Sequence, residues 1–305
     1  MSVTMLEAHS SHKNSNRTGL LDEFLVLADE WIAQRADEVS VAWFRAAING
    51  IASTADDRSL GVAIGLAPRR LGKADLSLPA ADMGRVQALR PGLDLSDWSV
   101  DQLARVAFMA ASHRNDDASF AQRFDTFCTT AGISELIALC RGLPIYPNQA
   151  LFEPRAREAI RSGMKPVFEA VAHRNPYPRE TFAEEAWNQM VVKAFFIGST
   201  LWPIQGLDER ANPRLARMLV GLAQERWAAG RVVSSEMWRC VAPHADDEGA
   251  VALLHAWSTG SDKDRMAVAL ALQDISCAFT QATAVEIKNL QTRLATEKIS
   301  WRDLA

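Results

Sequence analysis

The sequence predicts an all-α fold, and three observations support this. Apolar residues recur at helical spacing along almost the whole chain, and no segment shows sustained alternation of apolar and polar residues. The segments are rich in Ala, Leu, Arg and Glu, whereas the chain has only 2 Tyr. Such segments suit helix pairs joined by short loops and stacked in sequence order. Because no strict period is present, we predict a degenerate, HEAT-like helical repeat of the α-solenoid type.

Length and composition bound the domain organisation and the class of protein. At 305 residues, of which 48% are apolar, the chain can form a substantial core in one large domain or two smaller ones. We predict a disordered polar tail at 1–18, an N-terminal helical region at 19–145 and a C-terminal helical-repeat region at 146–305, the two regions forming one continuous all-α unit. The net charge of -4, with acids and bases interspersed, argues against a nucleic-acid-binding protein.

In the first half of the chain, recognisable start and stop signals bound the expected helices. A block over 20–49 has apolar residues near helical spacing, and an apolar segment over 60–66 is expected to end at Pro68. Ser99 is the expected N-cap of a helix that ends near Ala111. Further helices are predicted over 80–89, 118–128, 133–140 and 153–172.

The second half gives the clearest helix boundaries. The T-x-x-E pattern at 181–184 predicts a capping box for a helix that stops at Gly198. Asn212, followed by a proline, predicts the start of the next helix, which stops at Gly230. Further helices are predicted over 234–241, 248–257, 261–278 and 284–297.

Cysteine usage and hydropathy predict the compartment. The cysteines at 128, 140, 240 and 277 form no C-x-x-C pair, so we expect buried thiols in a reducing compartment, with no metal and no cofactor. The N-terminus lacks a secretory signal and no apolar segment is long enough to span a bilayer, which predicts a cytoplasmic protein. A peripheral position at the inner membrane is the alternative. It would use the weakly basic face of the last helix, formed by Lys288, Arg293, Lys298 and Arg302.

Charged residues fall on the apolar face of the helix over 213–230. At about 100° per residue, Arg226 lies near the middle of a stripe of Leu and Met residues, and Glu225 lies at its edge. A guanidinium in that position requires a carboxylate or carbonyl partner. An ion pair between helices, or a cap on a neighbouring helix end, explains Arg226 structurally. An anionic ligand or partner group is the functional alternative.

A narrow polar seam runs along the otherwise apolar helix over 182–197. Glu185, Gln189 and Lys193 are spaced by four residues, and Asn188 lies beside them. In one interpretation the seam faces solvent or satisfies the backbone of a neighbouring loop. In the other it is the wall of a pocket, where Lys193 supplies charge and the two amides orient a ligand.

The joint between these two helices carries Asp208 and Arg210. Pairing of Asp208 with Arg210 or Arg226 would order this loop, and loops held by rigid helices often carry binding groups. The candidate ligand- or partner-binding residues are therefore Asn188, Gln189, Lys193, Asp208, Arg210, Glu225 and Arg226.

No catalytic motif is present. The chain lacks G-x-S-x-G, H-E-x-x-H, P-loop and G-x-G-x-x-G patterns, which lowers the expectation of an enzyme without excluding it. His173 follows a predicted helix, where an imidazole more often complements the helix dipole than acts as a base or a metal ligand. The acids at 246–248, after His244, suit a helix N-terminus better than a metal site.

Five segments are informative beyond their helical pattern. They read GLAPRRLGKADL, ALRPGLDLSDWSVDQLARV, AVAHRNPYP, AWNQMVVKAFFIGSTLWPIQGLDERANPRLARML and QERWAAGRVVSSEMWRCV. Together they resemble the EboA family of bacterial metabolite-traffic proteins. The resemblance extends from about residue 60 to about residue 241 and is most specific over 188–239.

The resemblance implies that the gene lies in a small operon. It does not imply a settled reaction for this component. Proteins of this family are associated with a membrane prenyltransferase-like protein and with TIM-barrel-type and sugar-isomerase-like proteins, in moving or processing secondary-metabolite precursors towards the periplasm. We therefore expect a non-catalytic helical scaffold or adaptor in precursor traffic or export, which binds partner proteins of the same operon, a small-molecule metabolite, or both, through a groove.

The alternative is an enzyme that acts on a prenylated or aromatic precursor by acid–base chemistry. The acid or base would be Glu225, Asp208 or His173, and Lys193 or Arg226 would stabilise an anion.

Overall fold

The computed structural model describes residues 19–54, 56–273 and 280–305. Within these residues the fold is all helical, as predicted, with seventeen α-helices and no β-sheet. The chain divides into two compact units, of which the first ends at Thr181 and the second begins at Phe182. The predicted disordered tail lies outside the described residues. The repeat architecture and the division between 145 and 146 stay predictions.

The first unit is built from ten of these helices, separated by loops and one 3-10 turn (Gln149–Phe152). The helices are α1 (19–33), α2 (Glu38–Ser53), α3 (Asp57–Leu71), α4 (Ala80–Leu89), α5 (Val100–Ala111), α6 (Asp117–Thr130), α7 (Ile133–Arg141), α8 (Glu153–Arg161), α9 (Lys165–Ala172) and α10 (Tyr177–Thr181). The central helix is α5, which packs against α2, α3 and α7 and buries every residue except Gln102.

An ion pair is buried inside α5. Asp101 and Arg105 are each 3% exposed, and Arg105 Nη1 lies 3.0 Å from Asp101 Oδ2. Arg105 also donates from Nε to the Ile64 carbonyl and from Nη1 to the Ser134 carbonyl, both at 3.1 Å. Since Ile64 belongs to α3 and Ser134 to α7, one guanidinium joins three helices.

The helix α3 continues through Pro68, although the sequence analysis ends it there. Proline lacks the N–H that would bond the carbonyl four residues earlier, which is the Ile64 carbonyl. Arg105 donates to that same carbonyl and so supplies the missing bond. The helix therefore runs on to Leu71 and ends at Gly72, whose φ of 77° lies in the left-handed region.

Two predicted blocks are each split into two helices. The block over 20–49 breaks at Asp37, whose carboxylate caps α2 by accepting from the Ser40 N–H at 2.9 Å. The segment over 153–172 breaks between α8 and α9, where Gly163 interrupts the helix and Pro166 lies in the first turn of the next.

The second unit contains the remaining helices and three further 3-10 turns (Ser235–Met237, Ala242–His244 and Trp301–Leu304). The helices are α11 (Glu184–Phe196), α12 (Leu207–Arg210), α13 (Pro213–Ala228), α14 (Trp238–Val241), α15 (Asp247–Thr259), α16 (Asp262–Ala271) and α17 (Gln281–Glu297). The helix predicted over 261–278 thus ends at Ala271 within the described residues, and 274–279 lie outside them.

The predicted capping box at 181–184 is wrong. Thr181 ends α10, and its hydroxyl donates to the Tyr177 carbonyl at 2.7 Å, so it is not available as a cap. The helix α11 begins at Glu184 after Ala183, without a capping bond from a side chain.

Other predicted boundaries in this unit are confirmed. Gly198 follows α11 with a φ of 65°, and Gly230 follows α13 with a φ of 64°. Asn212 caps α13 by accepting from the Leu215 N–H at 2.9 Å, and Pro213 occupies the first turn.

The predicted positions of His173 at a helix C-terminus and of the acids after His244 at a helix N-terminus are also confirmed. His173 is the C-cap of α9 in the first unit, and its backbone N–H donates to the Glu169 carbonyl at 2.9 Å. In the second unit, Asp246 caps α15 by accepting from the Gly249 N–H at 3.0 Å.

The basic face predicted for the last helix is smaller than expected. Lys298 follows the end of α17 with a φ of 57°, and Arg302 lies in the 3-10 turn after it. The guanidinium carbon of Arg302 lies 5.3 Å from the centre of the Trp202 ring. On the helix itself, Arg293 Nε lies 3.9 Å from Glu297 Oε1.

Candidate functional site

A small cavity of about 170 Å³ lies where several elements of the second unit end or begin. The last turns of α11 and α13, the first turn of α16, the 3-10 turn Ser235–Met237 and Ala305 all contribute to its walls. Its charged lining residues are Arg226, Glu236 and Lys263. We refer to it as the polar cavity.

Arg226 lies in the last turn of α13 and lines the polar cavity. Its Nε donates to the Val232 carbonyl at 2.7 Å, which is the kind of partner that a guanidinium on an apolar stripe requires. Its two terminal amino groups make no hydrogen bond or ion pair with the described residues. These groups therefore retain donors that a ligand can use.

Lys263 lines the cavity from the first turn of α16. Its Nζ donates to the main-chain oxygen of Ala305 at 3.3 Å, which uses one of the three ammonium hydrogens. The backbone N–H groups at the start of α16 add positive potential near the same place. Two cations from different helices thus line one cavity.

Glu236 brings a carboxylate into the wall of the polar cavity and is 4% exposed. Its Oε1 and Oε2 accept from the Leu201 N–H at 3.0 and 2.9 Å, and Oε1 also accepts from the Trp202 N–H at 2.7 Å. Burial raises the pKa of Glu236, while these backbone hydrogen bonds and the nearby Lys263 and Arg239 act in the opposite direction. The carboxylate fixes the loop after α11.

Asn188 links α11 to the start of α13. It is 1% exposed and donates from Nδ2 to Asn212 Oδ1 at 3.2 Å, while Asn212 Nδ2 donates to Asn188 Oδ1 at 2.8 Å. Because Asn212 also caps α13, this reciprocal amide pair connects a buried side chain of one helix to the N-terminus of the other.

Arg210 lies near the same helix start. Its guanidinium carbon is 4.6 Å from the centre of the Trp187 ring, and its Nη2 donates to the Phe182 carbonyl at 2.7 Å. Burial lowers the pKa of Arg210, and Glu184 acts in the opposite direction. The arginine therefore packs on the aromatic ring as well as bonding the backbone.

Asp208 pairs with Arg239, through two hydrogen bonds of 2.6 Å, so the predicted pairing with Arg210 or Arg226 is wrong. Residues 207–210 form the single turn α12, in which residues two positions apart point to different sides of the helix. Asp208 and Arg210 therefore reach different partners.

The remaining candidates have few or no polar contacts. Gln189 is exposed and donates to Glu185 Oε1 at 3.2 Å, which confirms that the seam residues are neighbours. Lys193 is half-buried, and its ammonium makes no hydrogen bond or ion pair with the described residues. Glu225 is exposed on α13.

The seven candidates do not form one site. Arg226 lines the polar cavity, whereas Asn188 and Arg210 both lie close to Asn212. Asn212 and Arg226 are 226 − 212 = 14 residues apart on α13, or about 21 Å at 1.5 Å per residue. Glu236 and Lys263 complete the charged lining and are not among the candidates predicted from the sequence.

Comparison with protein families matches residues 25–242 to the family described as metabolite traffic protein EboA. The chain belongs to the EboA family. The EboA match includes Arg226 and Glu236, and it ends before Lys263, so the polar cavity combines residues from the matched and the unmatched parts of the chain. No curated protein and no solved structure matches this EboA-family chain.

Two further findings concern the EboA-family chain as far as the structure describes it. Over those residues, none of the helices combines the length and the apolar character needed to cross a membrane. Nor do three or more His, Cys, Asp or Glu side chains come together there in a group that could hold a metal ion.

Proposed function

We propose that this chain is a non-catalytic helical adaptor in the traffic of secondary-metabolite precursors, and that its polar cavity holds the anionic group of an acidic metabolite. Membership of the EboA family supports the traffic role. The observation that carries the ligand class is that Arg226 and Lys263 line one cavity and keep unbonded N–H groups. A carboxylate or a phosphate supplies the acceptors that these groups lack.

The size of the polar cavity limits what it holds. Small-molecule sites usually measure about 300–1,000 Å³, whereas this cavity measures about 170 Å³. It therefore accommodates one charged group, and the rest of the metabolite lies outside it. Glu236 opposes an anion by its charge, but its oxygens already accept from the Leu201 and Trp202 N–H groups, and Arg226 and Lys263 both bring a positive charge to the cavity.

The partners and the location follow from the same proposal. The metabolite passes between this chain and proteins of the same operon, among them a membrane prenyltransferase-like protein. The adaptor works in the cytoplasm, with the inner membrane as the place of transfer. Free, buried thiols at Cys128, Cys140 and Cys240 support a reducing compartment.

The acid–base alternative receives less support from the second unit. Asp208 is engaged by Arg239, and Glu225 is exposed on α13. The oxygens of Glu236 are occupied by backbone N–H groups. A general acid or base needs a hydrogen-bonded path to the reacting group, so these contacts favour holding over catalysis.

Titration calorimetry with inorganic phosphate tests the proposed site. R226M and K263M are each expected to weaken phosphate binding about tenfold, because each removes a charged hydrogen-bond donor. R214M is the matched control, since Arg214 is exposed on the same helix α13. Equal phosphate affinity in the wild type and all three variants would contradict the proposal.

A further inference from the structure

A second cavity of the second unit, of about 340 Å³, adjoins the polar cavity. Consecutive residues divide between the two: Arg226 and Lys263 line the polar cavity, whereas Trp227 and Asp264 line this one. We refer to it as the aromatic cavity. Its volume falls within the range of sites that hold a whole small molecule.

A fixed aromatic surface forms one wall of the aromatic cavity. The rings of Trp227 and Trp238 are stacked, with centroids 5.9 Å apart and an interplanar angle of 22°. Trp238 is 1% exposed, so it holds Trp227 from the interior, while Trp227 is half-buried. Such a platform presents a flat ring without further ordering of its side chains.

A second ring from this chain already rests on that platform. The imidazole of His255 lies with its centroid 4.3 Å from that of Trp227, at an angle of 57°. His255 is exposed on α15. If the His255 side chain rotates away, a planar ligand ring can take the place of this imidazole.

The charges around the aromatic cavity favour an anion. Both oxygens of the Asp264 carboxylate already accept hydrogen bonds: Oδ1 accepts from Ser235 Oγ at 2.6 Å, and Oδ2 accepts from the Ser261 N–H at 2.8 Å and from Ser261 Oγ at 2.7 Å. Arg231 is exposed, lines the cavity, and its guanidinium makes no hydrogen bond or ion pair with the described residues. Of these two charged side chains, only the Arg231 cation is therefore without a partner among the described residues. Val232, 83% exposed beside it, adds an apolar edge.

We propose that the aromatic cavity binds a planar aromatic carboxylate, whose ring stacks on Trp227 and whose carboxylate pairs with Arg231. Tryptophan rings also attract organic cations. Here, however, the only carboxylate among the described lining residues already accepts three hydrogen bonds, whereas the Arg231 guanidinium has no partner among these residues and repels a cation. The site is distinct from the polar cavity and does not depend on the function proposed for it.

Three probes of matched size test the ligand class by calorimetry on the full chain. We expect 2-naphthoate to bind, because it offers both a flat ring and a carboxylate. Decahydro-2-naphthoate lacks the flat ring and 2-naphthylmethylammonium reverses the charge, so each should bind at least about tenfold more weakly. Binding of the ammonium probe or of decahydro-2-naphthoate as tightly as 2-naphthoate would overturn the proposal.

Single-residue variants test which of the two cavities binds 2-naphthoate. R231M should weaken 2-naphthoate binding about tenfold, since it removes a charged hydrogen-bonding partner, whereas the exposed control R214M should leave it unchanged. H255A should bind at least as tightly as the wild type, because it uncovers Trp227. Both positions are exposed, so neither change should prevent folding. If R226M weakens binding and R231M does not, the ligand lies in the polar cavity and the proposal is overturned.

Discussion

Glu236 is a buried carboxylate of the second unit, and its oxygens accept hydrogen bonds from the Leu201 and Trp202 N–H groups. Burial of a carboxylate favours its protonated form, and the pKa of Glu236 is raised above its ordinary value of 4.5. Glu236 therefore binds a proton more readily in the folded state than in the unfolded chain. Because Glu236 holds the loop after α11, the contribution of this contact to stability depends on pH.

The pH dependence of unfolding measures this link. With a raised folded-state pKa, the contribution of Glu236 to stability is fully present below pH 4.5 and is lost as the pH rises through the folded-state pKa. E236Q removes the titration and keeps an oxygen for the N–H donors. We expect the free energy of unfolding of the wild type, minus that of E236Q, to fall as the pH is raised above 4.5 in urea titrations. A difference that rises over this range would contradict the assignment.

The three described cysteines should be protected in the folded chain. Burial raises the pKa of Cys140 and of Cys240 to about 12 and that of Cys128 well above its ordinary value. At pH 8 we expect iodoacetamide to leave these thiols unmodified in the native chain and to label them in guanidinium chloride, as mapped by peptide mass spectrometry. Labelling of Cys140 or Cys240 at equal rates in both conditions would contradict their burial.

Residue-scale reasoning from the sequence succeeds where the local geometry is regular. Arg226 lies on a helix of 16 residues, so its angular position against the apolar stripe could be projected in advance. Glu236 lies in a 3-10 turn of 3 residues, which has no helical face to project onto. Its role appears only when the backbone of residues 201 and 202 is brought against it by the fold.

At the scale of helices, Arg105 supports α3 and α5 together. R105M would leave Asp101 buried without its counter-ion and the Ile64 and Ser134 carbonyls without a donor. Loss of one partner of a buried pair costs about 3–5 kcal/mol in the free energy of unfolding. R45M is the control, because Arg45 pairs with Asp29 at the surface and such pairs contribute less than about 1 kcal/mol.

The contact of Arg105 with the Ile64 carbonyl can be tested separately. P68A restores a backbone N–H that can bond this carbonyl within α3. We expect R105M to cost about 1 kcal/mol less in the P68A background than in the wild type. Chemical denaturation of the two single variants and the double variant gives this coupling. Strict additivity would show that the arginine does not replace the missing helix bond.

The amide pair of Asn188 and Asn212 joins α11 to α13. N188A removes both hydrogen bonds between the side-chain amides of residues 188 and 212. We expect this loss to lower the free energy of unfolding by about 1–3 kcal/mol. The neighbouring Q189A is the control, since Gln189 is exposed and surface changes usually stay within about 0.5 kcal/mol. Similar urea midpoints for the two variants would argue against a structural link at Asn188.

Helix boundaries could be derived from the sequence where the deciding residues are local. Asn212 and Gly198 act through their own backbone and nearest neighbours, and both were identified correctly. At Pro68 and Thr181 the structure differs from the prediction, for two different reasons. An arginine 37 residues further along the chain (105 − 68) compensates for the proline. The threonine hydroxyl bonds backward to Tyr177, a choice that the T-x-x-E pattern does not reveal.

For the molecule as a whole, the all-α fold and the EboA family follow from the sequence and are confirmed. The candidate site was only partly derivable. Helical projection identified Arg226, but Lys263 comes from a helix that begins 36 residues later (262 − 226) and meets it only through tertiary packing. Long-range packing of this kind leaves no local pattern, so the polar and aromatic cavities become visible only in three dimensions.

The central claim is that the polar cavity holds the anionic group of an acidic small molecule and that the chain does not convert this molecule. Native mass spectrometry tests this most directly, with the chain incubated in a small-molecule extract of its own host and the bound species then released and identified. We expect the wild type and R214M to carry an acidic adduct that is released with its mass unchanged, and the double variant R226M/K263M to carry none. An adduct of equal abundance in the double variant, or a released species chemically altered by the chain, would contradict the account.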